Sequence, residues 1–429
     1  MSGDTLVLFL GFAALLLAGV PIAIALGLSA AAVIAHAGLG IMAVPTNTYT
    51  GIAKYPLLAI PVFVLAGLIF ERSGVAARLV RLATAMVGQR GGALGIVAVL
   101  VCMVMGGISG SGPADAAAVA TVMTASMAKA GYPRAFSASI IAAAGSTAIL
   151  IPPSIAFIVY SVLVPSASVP ELFAAGLIPG LLAGLSLMVP IVVLSRRYGF
   201  GRIVEEDRPR FWPSLRDASW GLLAPVIILG GLRSGAFTPT EAAAVAVFYG
   251  LAVGVFVYRT IDMRGLYRLL VEAAEISAVV LMIVALASVF AWAGSTLGAF
   301  DQLARALVGL GLGQWGVMAL IMVLLLFAGM FLDGVSIFLI LLPILVPIAT
   351  GFGWDLVWFG VLITMNVAIG QFTPPVAVNL MVTCKVAGIT MESTVRWVLW
   401  LVAAMAGAMA LVIVEPGLAL WLPRWLGYH

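Results

Sequence analysis

Charge is what this sequence has least of. Only 9% of its 429 residues are Asp, Glu, Lys or Arg, against roughly 25% in a soluble domain. Another 63% are hydrophobic, and the mean hydropathy is +1.21. That excludes a soluble globular protein. The one long polar stretch, about Ser195 to Ser219, is too short to hold a separate soluble domain. Cysteine occurs only at Cys102 and Cys384, both in apolar runs, so neither a disulfide framework nor a cysteine metal cluster is expected. Histidine occurs only at His36 and His429, which excludes His/Cys metal-ligand spacing. No lysine follows a glycine, so the G-K-[ST] phosphate loop is missing and the chain alone is not an ATP-driven pump. No basic or aromatic pattern points to nucleic acid. The net charge of +4 fits basic residues at cytoplasmic loop ends.

What remains is a set of long apolar runs. A membrane helix needs about 20 apolar residues. Candidate spans are 5–19, 21–36, 56–72, 133–164 (broken), 171–195, 218–234, 239–258, 272–293, 354–385 (broken) and 394–421. The first run has no Lys or Arg ahead of it, whereas a cleavable signal peptide carries a basic start, so it is expected to be a retained span. Residues 91–129 and 314–350 are too long for one span and carry flexible, polar residues at their centres. Each is expected to fold as a re-entrant helical hairpin. Two full spans joined by a tight turn are the alternative, and both return the chain to the side it left. Basic residues divide 17 to 4 between the two sides of this layout. The crowded side is expected to be the cytoplasm, leaving both termini outside, in the periplasm.

Two Pro-Pro pairs, Pro152-Pro153 and Pro374-Pro375, interrupt apolar helical runs. A proline inside a helix removes a donor and clashes with the preceding turn, at about 3 kcal/mol or more. Backbone freed at membrane depth is buried in protein or lines a polar cavity. A shift of 222 residues matches Gly107 with Gly329, Gly112 with Gly334, Gly131 with Gly353 and the two Pro-Pro pairs. Five crossings between the units invert the second, and paired interruptions in two halves mark a transporter's binding site. The fold class is thus an all-α polytopic membrane protein, with an inverted-topology repeat of two hairpins and two broken helices. Its expected divisions are 1–55 (N-terminal scaffold), 56–195 (first repeat), 196–271 (cytoplasmic loop and connecting helices) and 272–429 (second repeat). Amphipathic segments precede each hairpin. Val75, Leu79, Leu82 and Met86 recur at helical spacing in the first, and Phe300, Leu303, Leu307 and Leu310 in the second. They read as arms between a fixed and a moving domain, or as plain connectors on the membrane surface.

The first tip reads Ser109-Gly110-Ser111-Gly112-Pro113-Ala114-Asp115. Its hydroxyls and unwound carbonyls suit a hard cation, while the half-helix starting near Pro113 turns its positive end towards the tip and suits an anion. A capped turn without a ligand is the plainer alternative, with Ser111 as N-cap. Asp333 in the second tip either holds a cation or caps the half-helix at Gly334. Asp115 is expected to be a first-turn acid. Thr147, Ser154, Gln371, Thr373 and Asn379 flank the breaks, with Asn366 a turn and a half earlier. The two asparagines also fit a role as helix–helix glue. Gly107-Ile108-Ser109-Gly110 matches the G-x-S-G pattern of intramembrane serine proteases, but no histidine is placed to act as base. The chain is not expected to be an enzyme.

Together, G-G-I-S-G-S-G-P-A-D-A-A-A-V-A (Gly106 to Ala120), G-Y-P-R-A-F (Gly131 to Phe136), I-P-P-S (Ile151 to Ser154), F-L-D-G (Phe331 to Gly334) and G-Q-F-T-P-P-V (Gly370 to Val376) resemble the large membrane subunit of TRAP (tripartite ATP-independent periplasmic, DctM-like) transporters. The resemblance runs nearly the whole chain. It implies a sodium-driven importer of small carboxylates in the bacterial inner membrane, with Na+ as coupling ion and no cofactor. It also implies a small four-helix membrane subunit, here a separate protein, a periplasmic substrate-binding protein and an elevator-type movement. Carried over by residue, one sodium site lies between Gly107, Ser109, Gly110, Ser111 and Thr147, Ile151, Pro152. The other lies between Gly329, Asp333, Gly334 and Gly370, Thr373, Pro374. Substrate is expected between them near Ser154 and Asn379, with Asn366 close by. Members of this family often carry a Gly-Pro pair where this chain has Thr-Ala-Ile-Leu-Ile before its first Pro-Pro. A stand-alone sodium- or proton-coupled carboxylate or ion carrier is the alternative.

Overall fold

A computed structural model describes residues 3–88, 91–201, 209–309, 311–332 and 334–428. The described residues are helical throughout, without strands. Helices α1 (Gly3–Leu17) and α2 (Ile22–His36) form an N-terminal pair, followed by the short α3 (Ala43–Ile52) and by α4 (Ala59–Arg72). The first arm is α5 (Val75–Val87), and the first hairpin is α6 (Ala93–Ser109) with α7 (Gly112–Lys129). The first broken helix is α8 (Arg134–Ser146) and α9 (Ile155–Leu163). Then come α10 (Val169–Tyr198), α11 (Phe211–Arg233), α12 (Pro239–Ala252) and α13 (Met263–Thr296). The second unit has its arm α14 (Ala299–Val308), hairpin α15 (Gly313–Gly329) and α16 (Gly334–Gly351), and broken helix α17 (Leu356–Gly370) and α18 (Val378–Ala387). Helices α19 (Val395–Val414) and α20 (Gly417–Trp425) close the chain.

Seven of these segments are long and apolar enough to cross a membrane. Helix α10 shows why it suits lipid. Leu181, Leu185, Val189 and Val193 recur every four residues on its exposed side, while Gly180, Ala183, Gly184, Leu187 and Ile191 are buried. Such a pattern puts aliphatic groups outward and small residues into helix contacts. The halves of the broken helices are too short to span alone, so each pair serves as one interrupted passage.

Two expected boundaries are corrected, and one helix is added. The run 394–421 is not one helix, because α19 stops at Val414 and α20 starts anew after Pro416. Helix α13 begins at Met263, capped by the Asp262 carboxylate on the Gly265 amide at 2.7 Å, well before the apolar run. Helix α3 was not anticipated. Thr46, Asn47, Thr48 and Thr50 each donate to the carbonyl four residues back, so its polar side chains are satisfied within the helix.

Packing sorts the helices into two groups. Helix α13 runs against α2, α3 and α4, and α4 against α12. The hairpins and breaks pack among themselves: α7 and α6 on α8, α15 on α17, and α18 on both α7 and α8. The contacts of α18 join the two units.

Candidate functional site

In the first unit the chain turns from α6 into α7 through only Gly110 and Ser111. Gly110 sits at φ +61, and a Cβ there would run into the Pro153 carbonyl oxygen. Only glycine meets both demands. Ser111 occupies the N-cap position of α7, but its side chain makes no capping bond. Instead its amide donates to the Ser109 hydroxyl oxygen at 3.1 Å. The Ser109 hydroxyl donates to Asp115 Oδ1 at 2.7 Å, and Oδ2 of the same carboxylate is buried without a partner among the described residues. Gly107 faces the other side of the break, with its Cβ position 3.6 Å from the Pro152 carbonyl oxygen and 3.7 Å from the Ile151 side chain. Thr147 donates to Ala144 O at 2.7 Å at the start of the break. Ser154 caps α9: its hydroxyl donates to Ile149 O at 2.5 Å and accepts from the Phe157 amide at 3.3 Å.

The second unit makes the same approach with different groups. Gly329 and Gly370 meet backbone to backbone, so that a Cβ on Gly370 would strike the Gly329 main chain. The Val376 and Ala377 amides both donate to Met330 O at 3.2 Å, tying the break to the tip. Thr373 donates to Ile369 O at 2.6 Å, next to Pro374. Both Pro-Pro bonds are cis. Asp333 lies outside the described residues, and Gly334 opens α16 against Val367.

The units meet across their breaks. The Cβ position of Gly112, in the first tip, lies 2.8 Å from Oε1 of Gln371, in the second break, and 3.0 Å from Nδ2 of Asn379, in the first turn of α18. Asn379 Nδ2 donates to Ala142 O of α8 at 3.4 Å. Gln371 Oε1 and Asn379 Oδ1 are buried without partners among the described residues. Gln371 flanks the second break and stands out in sequence only as a polar residue beside Pro-Pro. Nothing in the sequence paired it with Gly112.

A cavity of about 310 Å³ opens at this meeting point. Its hairpin wall is Ser109 to Ala114, its far side includes Gly334 and Gln371, and Ile155 and Ala156 contribute the start of α9. The opposite wall comes from α4 and α13, through Val64, Gly67, Leu68, Ile276 and Val280. Those five apolar residues look like ordinary span residues, with no sequence signal to set them apart. Helices α7, α9 and α16 all begin at the cavity. Their dipoles favour negative charge there, and no basic side chain lines it among the described residues. Ser154 and Asn379 are fully buried beside the cavity without lining it. Asn366 is further off: its Nδ2 donates to Met322 O of α15 at 2.8 Å, which ties α17 to the second hairpin.

Residues 9–418 match the family model described as tripartite ATP-independent periplasmic transporter, DctM component. The chain is 42% identical over 374 residues to the C4-dicarboxylate TRAP transporter large permease protein DctM of Pseudomonas aeruginosa, covering 87% of each. It is 40% identical over 417 residues to the isethionate TRAP transporter permease protein DctMQ of Oleidesulfovibrio alaskensis, covering 97% of this chain and 66%, just under two thirds, of that protein. The solved structure of the Alcanivorax borkumensis YdaH transporter shares the fold at a TM-score of 0.57 and 14% identity, over 87% of this chain and 88% of the other. The hairpins, the broken helices and a match spanning nearly the full sequence lead to one conclusion: the chain belongs to the DctM family of TRAP transporter large membrane components.

Proposed function

We propose that this chain is the permease subunit of a sodium-coupled, binding-protein-dependent importer of small carboxylates in the bacterial inner membrane. The observation that carries the reading is the cavity at which both hairpins, both breaks and three helix N-termini converge. Dipoles without a basic side chain hold an organic anion reversibly, as import requires. The relatives' names give organic anions as their cargo, a C4-dicarboxylate and isethionate.

Sodium occupies the two tip-and-break junctions. The first uses Gly107, Ser109, Gly110 and Ser111 with Thr147, Ile151 and Pro152. The second uses Gly329, Asp333 and Gly334 with Gly370, Thr373 and Pro374. Bound cations offset the repulsion between an anionic substrate and Asp115. Substrate lies between the sites, against Ser111 and Gln371, with Ser154 and Asn379 shaping the wall behind. The hairpins enter from opposite sides without crossing, both termini are periplasmic, and the hairpin–break core slides as an elevator along α4 and α13. Gly67 of α4, whose Cβ position is 3.2 Å from Ser109 Cβ, keeps that track shallow. A small four-helix subunit supports α1–α4 and α11–α13, and a periplasmic binding protein delivers substrate.

The test is uptake into proteoliposomes carrying both membrane subunits, with the binding protein outside. Uptake driven by an inward sodium gradient, and abolished when potassium replaces sodium, is expected. Uptake indifferent to sodium rejects the coupling, and uptake without the binding protein rejects its role. Ser111→Ala and Asp333→Ala are expected to weaken sodium dependence more than membrane insertion.

A further inference from the structure

Away from the transport cavity, the first arm ends in a second pocket of about 600 Å³ between α5, the start of α11 and the residue following the Val253–Val257 turn. Its working residues are Arg78, Trp212, Arg216, Asp217, Trp220 and Tyr258. Asp217 accepts from Arg78 Nε at 3.2 Å and from Arg81 Nη2 at 3.0 Å. Arg78 also donates through Nη1 to Gly74 O at 3.0 Å, and its guanidinium lies 3.6 Å from the centre of the Tyr258 ring. Tyr258 in turn donates to Asp217 O at 2.6 Å. Arg78 is therefore held rigidly, with its side chain only 17% exposed.

Among the described residues the charges at this pocket do not balance. Arg78 and Arg81 share the Asp217 carboxylate, and Arg216, which lines the same pocket, makes no ion pair among the described residues. Arg78 Nη2 also has no hydrogen-bond partner among them. Two guanidinium faces thus stay open to an anion. Trp212 and Trp220 are exposed on the rim, at the first turns of a helix long and apolar enough to cross the membrane. Tryptophans at that level sit among lipid headgroups, and basic pockets between membrane helices bind phosphorylated headgroups. A freely diffusing anion has no use for the two indoles, whereas a lipid presents its phosphate and its glycerol backbone together.

We propose that this pocket binds the phosphate headgroup of an anionic phospholipid, clamped by Arg78 and Arg216 between the arm α5 and the helix α11. The lipid adds a second tie to the one Asp217 already makes, so that it sets how firmly the arm is held while the neighbouring hairpin moves. Lipid binding here is independent of the transported substrate, and only its effect on the arm rests on the proposed elevator movement.

The test embeds the full-length permease in nanodiscs of mixed phosphatidylglycerol and phosphatidylcholine and counts retained lipids by native mass spectrometry. Wild type is expected to retain phosphatidylglycerol selectively. Arg216→Gln is expected to lower that retention about fivefold, the ~1 kcal/mol that one basic side chain is worth at an anionic surface. Arg264→Gln, another exposed arginine at the start of α13, is expected to leave it unchanged. Arg216 is exposed, so an unaltered melting temperature is expected to confirm that the variant is folded. Equal retention of both lipids overturns the proposal, as does an unaffected Arg216→Gln. An equal loss in Arg264→Gln overturns it in favour of general surface charge. Displacement of the lipid by millimolar inorganic phosphate overturns it in favour of a free-anion site.

Discussion

The two hairpin-and-break units share a backbone plan and divide the chemistry between them. Under the 222-residue shift, Ser109 and Asp115 correspond to Phe331 and Ile337, while Ile149 and Phe157 correspond to Gln371 and Asn379. Each unit has polar residues in both places, Thr147 and Ser154 at the first break and Asp333 in the second tip, but the polar side chains that line the shared cavity come from the first tip (Ser109, Ser111) and the second break (Gln371). Both sets arrive at one place, because Gly112 of the first tip abuts Gln371 of the second break and Asn379 of α18. The contrast teaches that the repeat preserves where the helices break, while the residues decorating the breaks have diverged to complete a single shared site.

The comparison is easiest to break at the glycines. Gly370→Val forces a side chain into the Gly329 backbone. Overpacking costs about 1–3 kcal/mol, and here it unseats the tip, so uptake is expected to vanish while protein remains in the membrane fraction. The corresponding position in the first unit already carries a methyl group, Ala148, against Gly106. Ala148→Gly is therefore expected to retain most uptake. Equal loss in both variants would remove the distinction.

Next comes Ser109→Ala, which strips Asp115 of its one side-chain hydrogen bond. Leaving a buried polar group without its partner costs about 1–3 kcal/mol, so a clear fall in melting temperature is expected. Truncating its counterpart, the half-exposed Phe331, is expected to cost less, and a larger fall there would reverse the polarity assignment.

Gln371→Leu sharpens the picture at the shared site. It removes an oxygen that has no partner among the described residues and is expected to raise the KM for substrate roughly tenfold, or ~1.4 kcal/mol. An unchanged KM would place that oxygen outside the substrate site. The smallest effect is expected from Ser154→Ala, which deletes a helix cap worth about 1 kcal/mol. Its KM is expected to stay near the wild-type value, and a large rise in KM would bring Ser154 into direct contact with substrate.

The breaks, the tips and most passages were legible because proline, glycine and long apolar runs act locally. Helix α3 was not, since its threonine and asparagine side chains are polar in sequence yet satisfied on their own helix, and it is held by packing against α13, which no local pattern shows. The early start of α13 was hidden for a related reason: Arg264, Arg268 and Glu272 lie in the helix without being apolar. The pairing of Gly112 with Gln371 and Asn379 joins positions more than 250 residues apart, and no local pattern encodes it. The Val64, Leu68 and Ile276 wall was unreadable because a cavity wall and a helix contact call for the same aliphatic residues.

The amide of Asn379 reaches over to the Ala142 carbonyl, so a side chain from one half is anchored in the other. Under the proposed mechanism this makes ion loading cooperative. Filling one junction stiffens the other, and the response to sodium steepens. Half-loaded carriers then stay scarce, and with them the uncoupled slippage that would dissipate the gradient.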